Sequence, residues 1–194
     1  MGRTLSFDRD EALHKAMLLF WKNGYQATSL KQLESHLALR PGSLYHSFGN
    51  KDRLFMEALE LYASEFIAQL QAAVDEHDSL TEALEVFITG LLVEGESVRP
   101  SRACLVVKTL FETSDAGGVV AEKADALLAE MEAQLVTLVD AEKAAGRIPE
   151  SRDSTAIARQ IQVSIIGLRG IALRSAMASE IRPLVASVIR NQIH

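Results

Sequence analysis

The groups in this 194-residue chain best suited to chemistry are polar donors crowded between positions 40 and 51. Leu44 and Phe48 are four apart and share one helical face. That leaves Arg40, Ser43, Tyr45, His46 and Ser47 on the opposite side. A guanidinium, hydroxyls and an imidazole are what phosphate oxygens and base edges accept from. Arg40 and Ser43 are placed to read bases, with Pro41 and Gly42 in the same first turn. Thr28, Ser29, Tyr45, His46 and Lys51 are placed to hold phosphates. Lys51, at the start of a helix, can do so through its ammonium and the N–H groups beside it.

Two other chemistries come into question for this sequence. Cys104 lies in Arg102-Ala103-Cys104-Leu105-Val106-Val107-Lys108, near an expected helix start and two cations that favour thiolate. A buried apolar thiol is the alternative. Enzymatic chemistry finds no foothold. His14, His36, His46, His77 and His194 are scattered and make no metal-ligand spacing, and the phosphate-binding and nucleophile-elbow motifs are missing. No catalytic residue, metal or cofactor is therefore expected.

The donors need elements to position them. Thr28 or Ser29, with Gln32 three residues after the serine, caps a helix to His36 in which Leu30 and Leu33 share a face with Leu37. A turn at Leu37-Ala38-Leu39 leads to a second helix from Pro41 to Phe48, ended by Gly49. Before them, Asp8–Asn23 forms a helix with Leu13, Ala16, Met17, Phe20 and Trp21 as its apolar stripe. After them, Phe55, Leu59, Tyr62, Phe66 and Leu70 form a continuous seam along a helix from Lys51 to Val74. Further helices are expected at 80–92, 102–113, 119–145, within the apolar stretch 154–177, and at 180–192. The fold class is all-α.

Gly42-Ser43-Leu44-Tyr45-His46-Ser47-Phe48-Gly49-Asn50-Lys51 resembles the G-x-L-Y-x-x-F-x-x-K signature of TetR/AcrR-family transcriptional regulators. Phe20 to Ser29 resembles the F-x-x-x-G-Y-x-x-T-[ST] end of that family's first helix. The family's turn often carries glycine where this chain has Leu37-Ala38-Leu39. The resemblance implies a three-helix helix-turn-helix domain over 1–50 and a larger helical effector-binding and dimerisation domain over 51–194. It implies a homodimer, a palindromic double-stranded operator and an unknown small-molecule effector, with repression the expected mode. Helix 51–74 would link effector to DNA. Pocket candidates are Tyr62, Phe66, Phe87, Leu91, Cys104, Val107, Lys108, Phe111, Met131 and Leu135, for each of which plain core packing is the alternative. The Cys104 segment also resembles the [RG]-C-L stretch of family members that sense electrophiles or oxidants, an alternative mode of control. A helical protein-interaction module without DNA binding is the alternative of another class; it leaves the 40–51 motif unexplained.

Charge agrees with the regulator reading. Residues 1–56 hold eight basic and five acidic side chains, net +3, and the remainder carries −9 of the total −6. A basic head on an acidic body favours contact with DNA through one end. Gly167, Gly170, Ala172 and Ser164 in a nearly all-apolar stretch permit close helix approach, and with the resemblance this makes 154–193 half of an expected four-helix dimer interface, intramolecular core being the alternative. One cysteine and no apolar run of ~18 residues point to a cytoplasmic, non-membrane protein.

Overall fold

Helix signals in the sequence become helices wherever a cap and an apolar face coincide. The computed structural model describes residues 8–39, 42–93, 100–114, 117–174 and 179–193. Arg40 and Pro41 lie outside the described residues, as do the arm 1–7, 94–99, 115–116, 175–178 and His194. Among the described residues no strand forms. The helices are α1 (Arg9–Asn23), α2 (Leu30–His36), α3 (Ser43–Phe48), α4 (Lys51–Asp75), α5 (Leu80–Val93), α6 (Leu105–Thr113), α7 (Val119–Ala144), α8 (Ser154–Ile171) and α9 (Ile181–Ile193).

Side-chain caps set the starts of α1, α2, α4 and α8. The Asp8 carboxylate accepts from the N–H groups of Asp10 and Glu11, Asn50 from Arg53, and Asp153 from Thr155 and Ala156. Ser29 and Gln32 complete a reciprocal capping box. The 25 residues of α4 span about 37 Å. One side of it buries Leu54, Phe55, Leu59, Tyr62, Phe66 and Leu70. It packs against α1 at one end and α5 and α7 further along, while α9 closes on α5 and α8. One apolar core therefore runs from Phe20, Leu33 and Leu44 through Phe55 and Leu84 to Ile161 and Ile189.

Two boundaries differ from the sequence expectation. The helix expected from Arg102 begins at Leu105, because Cys104 is extended (φ −66°, ψ 129°). The Arg102 and Ala103 carbonyls before it accept instead from the Arg169 guanidinium, and Ala103 also from the Trp21 indole. The apolar stretch 154–177 is helical only to Ile171. Ala172 caps it and its carbonyl accepts from the Arg102 guanidinium, while Leu173 and Arg174 close turns onto Gly170 and Ile171. Tertiary hydrogen bonds, not local propensity, decide both ends.

Candidate nucleic-acid interface and effector cavity

The donor-bearing segment is held from behind by apolar packing. Leu33, Leu37, Leu44 and Phe48 are buried between α2, α3 and α4. The turn between the two short helices passes through Ala38 at φ +52°, a left-handed conformation without glycine. The Glu34 carboxylate accepts from the Gly42 N–H (3.2 Å), tying α2 to the start of α3. On the outward side Tyr45 is 52% exposed and His46 is exposed, with Ser43 and Ser47 half-buried. The Arg9 guanidinium covers the Phe48 ring (4.6 Å) and pairs with Glu57, fixing α3 against α1 and α4.

Lys51 opens α4 with its ammonium 4.3 Å from the centre of the Tyr25 ring. Partial burial lowers its pKa, against the opposing pull of Asp52 and Glu112. Tyr25 donates to Asp52 (2.6 Å), and burial followed by that bond pushes its phenol up to about 12. Ser29 is exposed although its hydroxyl serves the capping box. Thr28 departs from expectation. It is fully buried, its hydroxyl donates to the Gly24 carbonyl (2.6 Å) and its N–H to Tyr25. Neither group is left to face a phosphate. Arg40 and Pro41 lie outside the described residues.

The pocket candidates divide among three neighbouring spaces. A cavity of about 230 Å³ between α1, α4, α5 and α8 takes Tyr62, Phe66 and Leu91 from the sequence list. A more open one of about 390 Å³ beside α6 takes Cys104, Val107, Lys108 and Phe111. A narrow space of about 20 Å³ is bordered by Phe66, Cys104, Val107, Met131 and Leu135. Phe87 borders none of these three; it is buried with its ring edge-on to Phe66 at 5.1 Å. Phe111 is 80% exposed and sits at a mouth rather than in an interior. Lys108 borders that cavity while its ammonium donates to the Trp21 and Lys22 carbonyls at the end of α1.

Cys104 is buried, and the cations expected to act on it are engaged elsewhere, Arg102 with Ala172 and Lys108 with α1. Its charged neighbour is Arg169, which borders all three spaces and was not among the sequence candidates. The signal available was an arginine between Leu168 and Gly170, one of three in the apolar stretch 154–177 with Arg159 and Arg174. Among the described residues no cluster suited to a metal ion is found, and no helix is long and apolar enough to cross a membrane.

Along the outward side of α8, Val163 is 64% exposed, and a Cβ added at Gly167 or Gly170 would meet nothing within 4 Å. Val163, Gly167 and Gly170 thus leave an exposed strip of small and apolar residues on α8, with Arg159 and Gln160 exposed nearby.

Comparison with known proteins places these features in context. The family model for bacterial regulatory proteins of the tetR family matches residues 12–58. The model for the tetracyclin repressor-like C-terminal domain matches 81–184. The HTH-type transcriptional repressor ComR of Escherichia coli is 30% identical over 190 residues, covering 97% of this chain and 90% of its own. A TetR-family regulator from Cytophaga hutchinsonii superposes with a TM-score of 0.81 at 22% identity, over 94% of this chain and 93% of that one. A cysteine-substituted form of the TetR-family regulator CifR, solved with 26-base-pair double-strand operator DNA, gives 0.77 at 25% identity over 99% and 98%.

Proposed function

The chain belongs to the TetR family of bacterial regulatory proteins, and on that premise we propose that it is a homodimeric repressor released from a palindromic operator by a small-molecule effector. The observation that carries this reading is the outward face of α3. Tyr45 and His46 stand exposed on a helix whose other side, Leu44 and Phe48, is locked into the core. Exposed donors on a rigidly held helix suit the major groove. Arg40 and Ser43 are the proposed base contacts, and Ser29, Tyr45, His46 and Lys51 the phosphate contacts, with Pro41 and Gly42 between them; Thr28 is withdrawn from that set. Residues 1–50 would form the DNA-binding unit and 51–194 the effector and dimerisation unit. The site of action would be the cytoplasm, and the role regulatory rather than enzymatic.

The outward strip of α8, with α9 beside it, supports a twofold contact with a second copy. Two recognition helices then meet successive major grooves about 34–36 Å apart. An effector shifts the balance only by binding the two arrangements unequally. A thiol-triggered variant of the same control rests on Cys104, which borders the open cavity beside α6. It requires that alkylation release the operator and that Cys104→Ser abolish the release.

Selection from a random double-stranded DNA library by the purified chain tests the main reading. Enrichment of a palindrome, with affinity falling steeply as salt rises, is expected. No enrichment at low salt would remove the regulator reading.

A further inference from the structure

Arg169 is a charged side chain in the middle of the body, only 2% exposed. Its Nε donates to the Arg102 carbonyl at 2.6 Å and its Nη2 to the Ala103 carbonyl at 3.4 Å. Its Nη1 has no acceptor. It forms no ion pair with a described residue. A buried guanidinium without a countercharge, and with one donor edge unfilled, is costly to keep. Cores avoid such groups unless something completes them.

The surroundings define what would complete it. Arg169 borders the 230 Å³ cavity, whose other walls include Met17, Leu18, Phe66 and Leu91. Those four walls are apolar, while His14, Glu65 and Gln69 border the cavity elsewhere, so a fitting molecule lays its apolar part against the first set. The Tyr62 hydroxyl stands beside the guanidinium. Burial, reinforced by neighbouring Cys104 and opposed by Arg169, holds the Tyr62 phenol above its ordinary pKa, so it is a neutral hydrogen-bonding group. Glu65 borders the same cavity, next to His14 at 3.8 Å. Its carboxylate opposes negative charge anywhere in the cavity, so an acid gains only by direct contact with Arg169 and a second charge has nothing to offset it.

We propose that Arg169 is the docking point for the carboxylate of an apolar monocarboxylic acid whose hydrocarbon body fills the cavity between α1, α4, α5 and α8. The acid would be the effector, so this deepens the regulator reading and rests on it. The carboxylate takes the unfilled guanidinium edge in a charge-assisted hydrogen bond. It also supplies a countercharge that no described residue provides as an ion pair.

The same contact reaches the DNA-binding head. The Ala103 carbonyl that accepts from Arg169 also accepts from the Trp21 indole at 2.7 Å. Trp21 lies on α1, and its own carbonyl accepts from Lys108. A carboxylate on Nη1 bears, through the same guanidinium, on the Ala103 carbonyl just before α6, the point where that segment is tied to α1. Binding then favours one placement of the head over another, the differential affinity that control requires.

The test uses straight-chain monocarboxylates from butanoate to decanoate, each paired with its primary amide, titrated into the full chain by calorimetry. The acids are expected to bind saturably, more tightly as the chain lengthens. At least one acid should exceed its amide by about tenfold, the size expected of a hydrogen bond to a charged group. Arg169→Gln should bring that ratio close to one, and Arg169→Lys should keep part of it. No saturable binding by any acid would overturn the proposal. So would amides that bind as well as acids, or an Arg169→Gln chain that keeps the preference. If Arg169→Gln does not fold, the ratio in the unaltered chain and in Arg169→Lys decides. Library selection in parallel separates the two readings: a chain that selects a palindrome yet ignores acids fails only here, whereas one that selects no DNA fails as a regulator whatever it binds.

Discussion

At the scale of single residues, the turn between α2 and α3 holds a measurable strain. Ala38 sits at φ +52°, where its Cβ costs about 1–2 kcal/mol. Ala38→Gly should remove that strain while adding roughly 0.4–1 kcal/mol of unfolded-state entropy. A net gain of about 0.5–1 kcal/mol is expected in urea unfolding; a loss would show the turn to be unstrained. Lys51 carries a different expectation. Lys51→Ala should weaken all DNA sequences alike and lower the salt slope by about one. A change in sequence preference instead would make it a base contact. The residue scale is also where the sequence was only partly legible. Ser29 with Gln32 announces its own cap, because both partners lie within one turn. Thr28 does not announce its burial: a hydroxyl given inward to Gly24 and one offered outward to phosphate look identical in sequence. Arg169 was visible as an oddity, but its meaning depends on carbonyls 66 and 67 residues away.

At the scale of elements, the helices were readable where local caps and apolar spacing agree, and misread where a distant side chain sets the end. The late start of α6 and the early end of α8 both belong to arginine–carbonyl contacts between those two segments. Gly24 shows the same dependence. Its backbone, at φ +92°, passes so close to Glu112 that an added Cβ would lie 2.1 Å from the carboxylate, and that carboxylate accepts from the Gln26 N–H. The joint between α7 and α5 gives a pH prediction. The Glu142 carboxylate accepts from Arg147 and from the Leu80 N–H, and these bonds hold its pKa below the ordinary glutamate value despite burial. A depressed folded pKa contributes stability above the unfolded value, about 4.3, and that contribution is lost as pH falls through the lower folded value. Glu142→Gln should therefore lower the melting temperature at pH 7 and lower it much less at pH 3. An equal drop at both would assign the effect to packing instead of charge.

At the scale of the whole molecule, one core joins head to body while charge divides them. Residues 1–56 carry +3 and the rest −9. The body therefore repels the phosphates that the head attracts, and binding is directed through one end. A single basic head has few donors on one short helix, so tight binding needs two heads joined at fixed spacing. The strip along α8 is where that joint is proposed, and Val163 at 64% exposure lies on it. Val163→Arg places a charge from each copy inside a contact built from the same patch of both, where it would be buried without a partner. The variant should sediment as a monomer at micromolar concentration. Each head then binds alone, and the gain from linking two sites, roughly 10²–10⁴ in affinity, disappears. Operator binding should fall by that order while the melting temperature of the monomer stays close to that of a fold with an intact core. A variant that still sediments as a dimer and still holds the operator would move the joint off α8, and leave that strip for another partner.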